Sequence, residues 1–361
     1  MDAEIQSFIK VWFVAITSLF YSYFLVQRIP TGLPRLVSLL PIIYLFITLP
    51  LSLTSFHLGA PTAFYLLWLG NFKLLLFSFN QCPLASNPPL PLLHFISIAL
   101  LPIKTKTNLQ PNSSSKNSKE QDSPHFKISG RALLVFGIKF LLLAKIIVIY
   151  QYRDQLHQSV IFALYCCHLY LGVDLCLAIT AVPVRAILGL GTEPQFNQPY
   201  LATSLQDFWG RRWNLMVTSI LRPTVYNPIR RSSTPIVGRK WSLVPAVLAT
   251  FLVSGLMHEV IYYYQSRASP TWEVTWFFVL HGVCVVAEIA VKKAFNGRRQ
   301  LPRVVSGPLT IGFVAITGAW LFFPQVIRHR LDVKAIKESY IWLRLLGEKL
   351  GVPTQWLAPL H

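Results

Sequence analysis

Two ionisable residues stand side by side where few are tolerated: His258 and Glu259, inside the apolar run FLVSGLMHEVIYYY. Ionisable side chains at such depth are rare, and they line cavities or pair with one another. Histidine suits proton transfer near neutral pH, because its ordinary pKa is about 6.5. Ser254, His258 and Tyr262 recur every four residues and so share one helix face. Position 262 is Tyr, so the H-E-x-x-H pattern of zinc proteases is absent. The bland reading of a lone histidine here is a structural hydrogen-bonder; with Glu259 adjacent, the pair points to acid–base chemistry. A second pair, His281 and Glu288, lies seven apart in the next apolar run, also on one face, and rivals the first.

The other polar concentration is the central stretch PQFNQPYLATSLQDFWGRRWNLMVTSILRPTVYNPIRR. Thr203 and Gln206 have capping-box spacing, which predicts a helix from Thr203 to Leu221, stopped at Arg222-Pro223. On that helix Gln206, Trp209, Trp213, Met216, Val217 and Ile220 share a face. Asp207, Arg211, Asn214 and Thr218 lie opposite, and Asp207 and Arg211 are spaced for an ion pair. Two readings stay open. The segment is an interfacial amphipathic helix with Trp and Arg at headgroup level. Or it dips into the protein, aiming Asn214 and Arg211 at a cavity and offering Arg211, Arg212, Arg222, Arg230 and Arg231 to a phosphate-bearing ligand.

The elements that must position these residues are membrane helices. Of 361 residues, 53% are hydrophobic and 13% charged, and the mean hydropathy is +0.48. A soluble domain carries about 25% charged residues. Apolar runs of spanning length fall at 8–27, 33–53, 58–79, 131–150, 159–182, 242–264, 272–291 and 306–327. A shorter, Pro-rich run at 90–103 reads as re-entrant or broken, so eight or nine spans are expected. Acidic Asp2 and Glu4 precede the first run, unlike a cleaved secretory signal. The chain therefore reads as one all-α, polytopic membrane domain over 1–361, with a flexible loop at 104–128 and an interfacial or re-entrant segment at 183–241.

The formal net charge is +19, and its placement sets the orientation. Residues 104–131, 183–241 and 292–305 carry six, eight and five Lys/Arg, against four in the opposite loops of a nine-span chain. The positive-inside rule puts these segments, and with nine spans the N-terminus, in the cytosol. The C-terminal tail, with six more basic residues, would then face the other side. Such charge suits anionic membranes or anionic substrates; no single basic module suggests nucleic acid. The five Cys are an odd number without C-x-x-C, and Cys166-Cys167-His168 has no further ligands nearby, so neither a disulfide framework nor a metal site is expected. His94, His168 and Asp174 read as structural or cavity-lining, and Lys73, Lys139 and Lys145 as snorkelling or paired.

With SLQDFWGRRWN followed by SGLMHE, and with NFKLLLF at 71–77, the chain resembles the plant wax-synthase-like branch of the membrane-bound O-acyltransferases over nearly its whole length. The resemblance implies transfer of an acyl group from acyl-CoA to the hydroxyl of an apolar lipid in the endoplasmic reticulum membrane. Long-chain alcohols, sterols and, with acetyl-CoA, diacylglycerol are the family's acceptors. It implies a catalytic His258 and assigns Asn214 to the family's asparagine. Gln206, Asp207, Trp209, Arg211, Arg212, Trp213, Arg222, Ser254, Glu259, Tyr262 and His281 are expected to bind substrate. No cofactor is expected, acyl-CoA being a substrate; the expected partners are acyl-CoA, the alcohol and membrane lipids. From other classes, a lipid or ion transporter would also bury His, Glu and Asp at mid-membrane, and a lipid-binding scaffold would tolerate loss of His258.

Overall fold

A computed structural model describes residues 2–103, 130–189, 194–295 and 301–351. They form an all-α bundle with no strand among the described residues. Eight helical stretches are long and apolar enough to cross a membrane: Ala3–Arg28, Leu33–Ser52, Phe56–Ala85, Leu133–Gln155, Gln158–Val184, Leu243–Ser266, Glu273–Ala294 and Arg303–Arg328. These are the eight long apolar runs of the sequence. In hydrocarbon, a backbone satisfies its polar groups only by bonding within its own helix. The loop expected at 104–128 lies outside the described residues.

The first spans are α1 (Asp2–Phe24) and α2 (Leu33–Thr48). The third joins α3 (Phe56–Ala63) to α4 (Asn71–Ser78) through a π-helical turn, Phe64–Gly70. It is the most buried of the eight and forms the centre of the bundle. The Pro-rich run becomes α5 (Leu92–Leu100), nine residues long. At 1.5 Å per residue it spans about 14 Å, too little for a 30 Å core. Lys73 fixes its end: the buried ammonium donates to the carbonyls of Ile98 and Leu101, both at 2.6 Å. Further on, α6 (Gly130–Ile149) and α7 (Gln158–Leu188) pair through Lys139 and Asp174, 2.6 Å apart.

Because α5 does not cross, the alternation of eight spans puts the N-terminus at the end opposite residues 194–241 and not beside them, contrary to the nine-span orientation. The contacts agree. Glu4 accepts from the backbone N–H of Thr54 and Ser55 at 2.7 and 2.6 Å. Glu338, on α15 (Leu331–Leu350), accepts from Ser55, Phe56 and His57. Asp332 at the start of α15 accepts from Tyr165 at 2.6 Å and pairs with Arg153. The N-terminus, the loop before α3, the α6–α7 turn and α15 thus share one end. At the other end, buried Arg35 donates to the carbonyls of Gln27, Ile29 and Phe77. The basic C-terminal helix α15 sits at the end away from residues 194–241, as the alternation of spans requires.

Glu338 gives this end a pH dependence. Burial raises its carboxyl, but hydrogen bonds from the His57 ring, the His57 and Phe56 amides and the Ser55 hydroxyl outweigh that and hold it at about 2. An unfolded glutamate titrates at about 4.3. The folded value is the lower one, so the stabilisation is complete above about pH 4.3 and is lost as pH falls towards 2. Glu338→Gln should lower the melting temperature of the detergent-solubilised protein at pH 7, with the gap from wild type closing below about pH 3. A gap that is constant with pH would show that the charge is not what stabilises.

The final layer contains α11 (Leu243–Ser266), α12 (Glu273–Ala294), α13 (Arg303–Thr317) and α14 (Phe323–Arg328). Another π turn, Gly318–Phe322, joins the last two. Helices α11 and α12 pack closely: a Cβ on Gly255 would stand 2.8 Å from the Thr275 Cα. This tight pair carries His258 on one member and His281 on the other.

Candidate active site

The central motif does not form the straight helix that its periodicity predicts. Ser204, not Thr203, is the N-cap: its hydroxyl accepts from the Asp207 amide at 3.2 Å, while the Asp207 carboxylate reaches back to the Thr203 N–H. The capping box is shifted by one residue, so the Gln206 side chain takes no part in it. After α8 (Leu205–Asp207) the chain enters a π turn, Phe208–Arg212. Trp213 is extended, and Asn214 takes left-handed backbone angles, φ 37° and ψ 67°. Asn214 then caps α9 (Leu215–Leu221), its Oδ1 accepting from the Val217 amide. Asparagine suits both tasks, tolerating positive φ and accepting as an N-cap.

The π turn also changes the ion pair. Asp207 bonds Arg212 at 2.6 Å and not Arg211, because a wider turn brings residue i+5 over residue i. Nor does the helix stop at Arg222-Pro223. A proline ring clashes with the carbonyl four residues earlier. The chain absorbs this as a π turn, Arg222–Tyr226, and continues into α10 (Asn227–Trp241).

The break at Trp213 and Asn214 builds the site. On a straight helix Trp209 and Asn214 would point about 140° apart. Here both line one cavity of about 350 Å³. Gln206, Trp213, Val217, Thr218 and Arg222 line it as well, while Met216 and Ile220 turn into the core beside Tyr65 and Leu69. The opposite wall is one stripe of α11: Leu243, Val247, Thr250, Phe251, Ser254 and His258. Those spacings follow successive turns, so the cavity runs along α11 from its basic end. His258 lies fifteen residues beyond Leu243, a path of about 22 Å.

His258 is oriented from three sides. Its Nδ1 meets the Ser254 carbonyl at 2.7 Å. A carbonyl can only accept, so Nδ1 carries the proton and Nε2 presents a lone pair, with no partner among the described residues. The ring stacks on Phe278, with centroids 4.5 Å apart, and stands edge-on to Trp68 and Phe322 at 5.2 and 5.9 Å. Trp68 sits in the π turn of the third span and Phe322 in the turn before α14. The described residues hold four π turns, and each brings a residue to the cavity lining or to the histidine ring. Local π turns recur at functional sites.

His281 has another task. It is fully buried, accepts from the Trp209 indole N–H at 3.0 Å and donates through Nε2 to Thr317 at 2.9 Å. Both ring nitrogens are occupied, so it anchors Trp209 and has no free nitrogen to offer the cavity. Glu259 faces away from the cavity: one carboxylate oxygen accepts from the Thr275 N–H at 3.2 Å, on α12. Tyr262 packs among Val274, Phe277 and Phe278, below His258. Asp207, Arg211, Arg212, Glu259, Tyr262 and His281, also expected at the site, lie outside the lining of this cavity. Sequence reasoning missed Trp68, Tyr226, Phe278, Val285 and Ile289, which do line it. Apolar residues in apolar helices carry no signal of which face is which.

The chain was compared with known proteins. The Membrane bound O-acyl transferase family matches residues 192–280. A long-chain-alcohol O-fatty-acyltransferase of Simmondsia chinensis is 51% identical, covering 97% of this chain and 98% of that protein. The chain belongs to the membrane-bound O-acyltransferase family. An acyl-CoA–sterol O-acyltransferase of Arabidopsis thaliana is 43% identical over 92% of this chain and 94% of its own length. A probable long-chain-alcohol O-fatty-acyltransferase of the same plant is 44% identical over 96% and 98%. The protein is thus an acyltransferase, and the transporter reading falls away. The matched region of this acyltransferase contains the whole broken motif, α11 and both Asn214 and His258. Of its motif arginines, Arg211 is exposed, Arg212 is held by Asp207 and by the Asn197 and Gln198 carbonyls, and Arg222 alone lines the cavity.

Proposed function

We propose that this acyltransferase moves a fatty acyl group from acyl-CoA to the hydroxyl of a long-chain alcohol, making a wax ester, in the endoplasmic reticulum membrane. The observation that carries the reading is the His258 imidazole, with its Nδ1 proton tied to Ser254 and its Nε2 lone pair free beside the cavity. Nε2 takes the alcohol proton as the oxygen attacks the thioester carbonyl carbon. Negative charge then develops on the carbonyl oxygen. The Asn214 carboxamide has its Oδ1 engaged as a helix cap, so its Nδ2 is the donor offered to that oxygen. The C–S bond breaks, and the thiolate leaves with the proton from His258. A thiol of pKa about 8.5 needs little further assistance.

Apolar lining along α11 and α12 suits the acyl chain and the alcohol. Acyl-CoA enters at the basic end, which faces the cytosol, and Arg222 at the rim meets its phosphates. Arg222→Ala should raise KM for acyl-CoA by about tenfold, one charge-assisted contact, and leave KM for the alcohol near wild type. Equal effects on both would mean that Arg222 binds lipid headgroups. A sterol is the second reading for the acceptor, supported by the similarity to the acyl-CoA–sterol O-acyltransferase; diacylglycerol is the third. The deciding experiment offers sealed microsomes a panel of acyl-CoAs with fatty alcohols, sterols and diacylglycerol. Fatty-alcohol esters should form from acyl-CoA added outside, without detergent. Preference for another acceptor would reassign the substrate, and activity only after permeabilisation would invert the orientation.

A further inference from the structure

Helix α12 does more than wall the cavity. Val285 and Ile289 line it, and between them Glu288 turns towards the start of the broken motif. Its Oε2 accepts from the backbone N–H of Leu205 at 2.8 Å and of Gln206 at 3.3 Å. These amides open α8, where no intrahelical carbonyl can receive them. Its Oε1 pairs with Lys292, one turn on, and Lys292 also donates to the Ser204 hydroxyl at 3.2 Å and the Gln206 side chain at 3.4 Å. Two turns before Glu288, His281 holds the Trp209 indole. The motif is thus gripped at two places by one helix: its first amides by Glu288 and its cavity-facing indole by His281.

We propose that Glu288 is a positioning residue for acyl transfer. It fixes the start of the segment that carries Gln206, Trp209 and Asn214, and so sets where Asn214 stands relative to His258. The need for such a clamp follows from local structure. Residues 205–212 comprise three α-helical residues and one π turn, then the chain breaks at Trp213. So short a helix has little stability of its own. A residue remote from the chemistry matters when it controls alignment, since a displacement of about 1 Å can cost about 10²-fold in rate. Glu288 touches no cavity surface, so its loss acts on turnover and not on binding.

The proposal rests on the acyl-transfer reading, and its test separates the two. Glu288→Ala, Glu288→Gln and wild type are purified as full-length protein in detergent and assayed with acyl-CoA and a fatty alcohol. Glu288→Ala should lower kcat by about 10²-fold with KM for acyl-CoA within threefold of wild type. Glu288→Gln keeps an acceptor for the Leu205 amide and should recover at least tenfold of the loss. Hydrogen–deuterium exchange supplies a second readout that needs no turnover. In Glu288→Ala, uptake should rise in residues 203–213 and stay unchanged in α11. Wild-type kcat in Glu288→Ala, or unchanged exchange at 203–213, would overturn the positioning role. So would equal damage in both variants with raised exchange throughout the bundle. An inactive wild type would instead overturn the acyl-transfer reading and leave the exchange result to decide the clamp.

Discussion

His258→Ala is expected to reduce kcat for ester formation by about 10²–10⁴-fold, the range lost when a positioned base is removed. The expectation follows from the proton inventory of the imidazole. Nδ1 is committed to the Ser254 carbonyl, so the proton-accepting atom is Nε2, and no other histidine or carboxylate among the described residues lines the cavity. Alanine also leaves a hole between Phe278, Trp68 and Phe322. His258→Gln, which fills that space with a side chain that takes no proton, is therefore the necessary companion. Both variants should be inactive, and His258→Gln should melt near wild type. His281→Ala makes the contrast: it frees the Trp209 indole without removing the base, and should retain measurable turnover. Substantial activity in His258→Gln would remove the general-base role, and inactivity confined to His281→Ala would transfer it.

Asn214 calls for a subtler substitution. Alanine there removes three things at once: the amide donor, the N-cap worth about 1 kcal/mol, and a residue at ease with positive φ. Asn214→Asp separates them. Aspartate still accepts from the Val217 amide and still tolerates the backbone angles, but it has no N–H to give. The variant should fold with a melting temperature near wild type and lose about 10²–10³-fold in kcat, as when one oxyanion donor is deleted. Its KM for acyl-CoA should change little. If Asn214→Asp turns over normally while Asn214→Ala does not, the residue is a cap and not a catalyst.

Much of this was legible in the residues themselves. The eight spans follow from length and hydropathy alone, and His258 announces itself as a polar residue in an apolar run. The motif quoted by the family resemblance contains the residues that meet it across the cavity. What could not be read is the local winding. A helical wheel assumes 3.6 residues per turn, and that assumption placed Asn214 opposite Trp209 and paired Asp207 with Arg211, while the proline alone ended the helix at Arg222. Two π turns and one left-handed asparagine undo those inferences. Glu259 falls outside the cavity for another reason: adjacency to His258 in sequence puts it about 100° away on the helix, against α12. The side of the N-terminus turned on whether nine residues can cross a bilayer, which only their helical length answers.

The π turn at Phe208–Arg212 also bears on how such a chain can vary. It holds one more residue than the α turn that would otherwise fill the same place. Deleting the exposed Gly210, which has no side chain, would let the segment rewind as ordinary helix and swing everything after it by about 100°. Asn214 would leave the cavity, though no cavity-lining side chain had been altered. In this stretch the number of residues is under tighter constraint than their identity, and insertions and deletions there amount to active-site mutations.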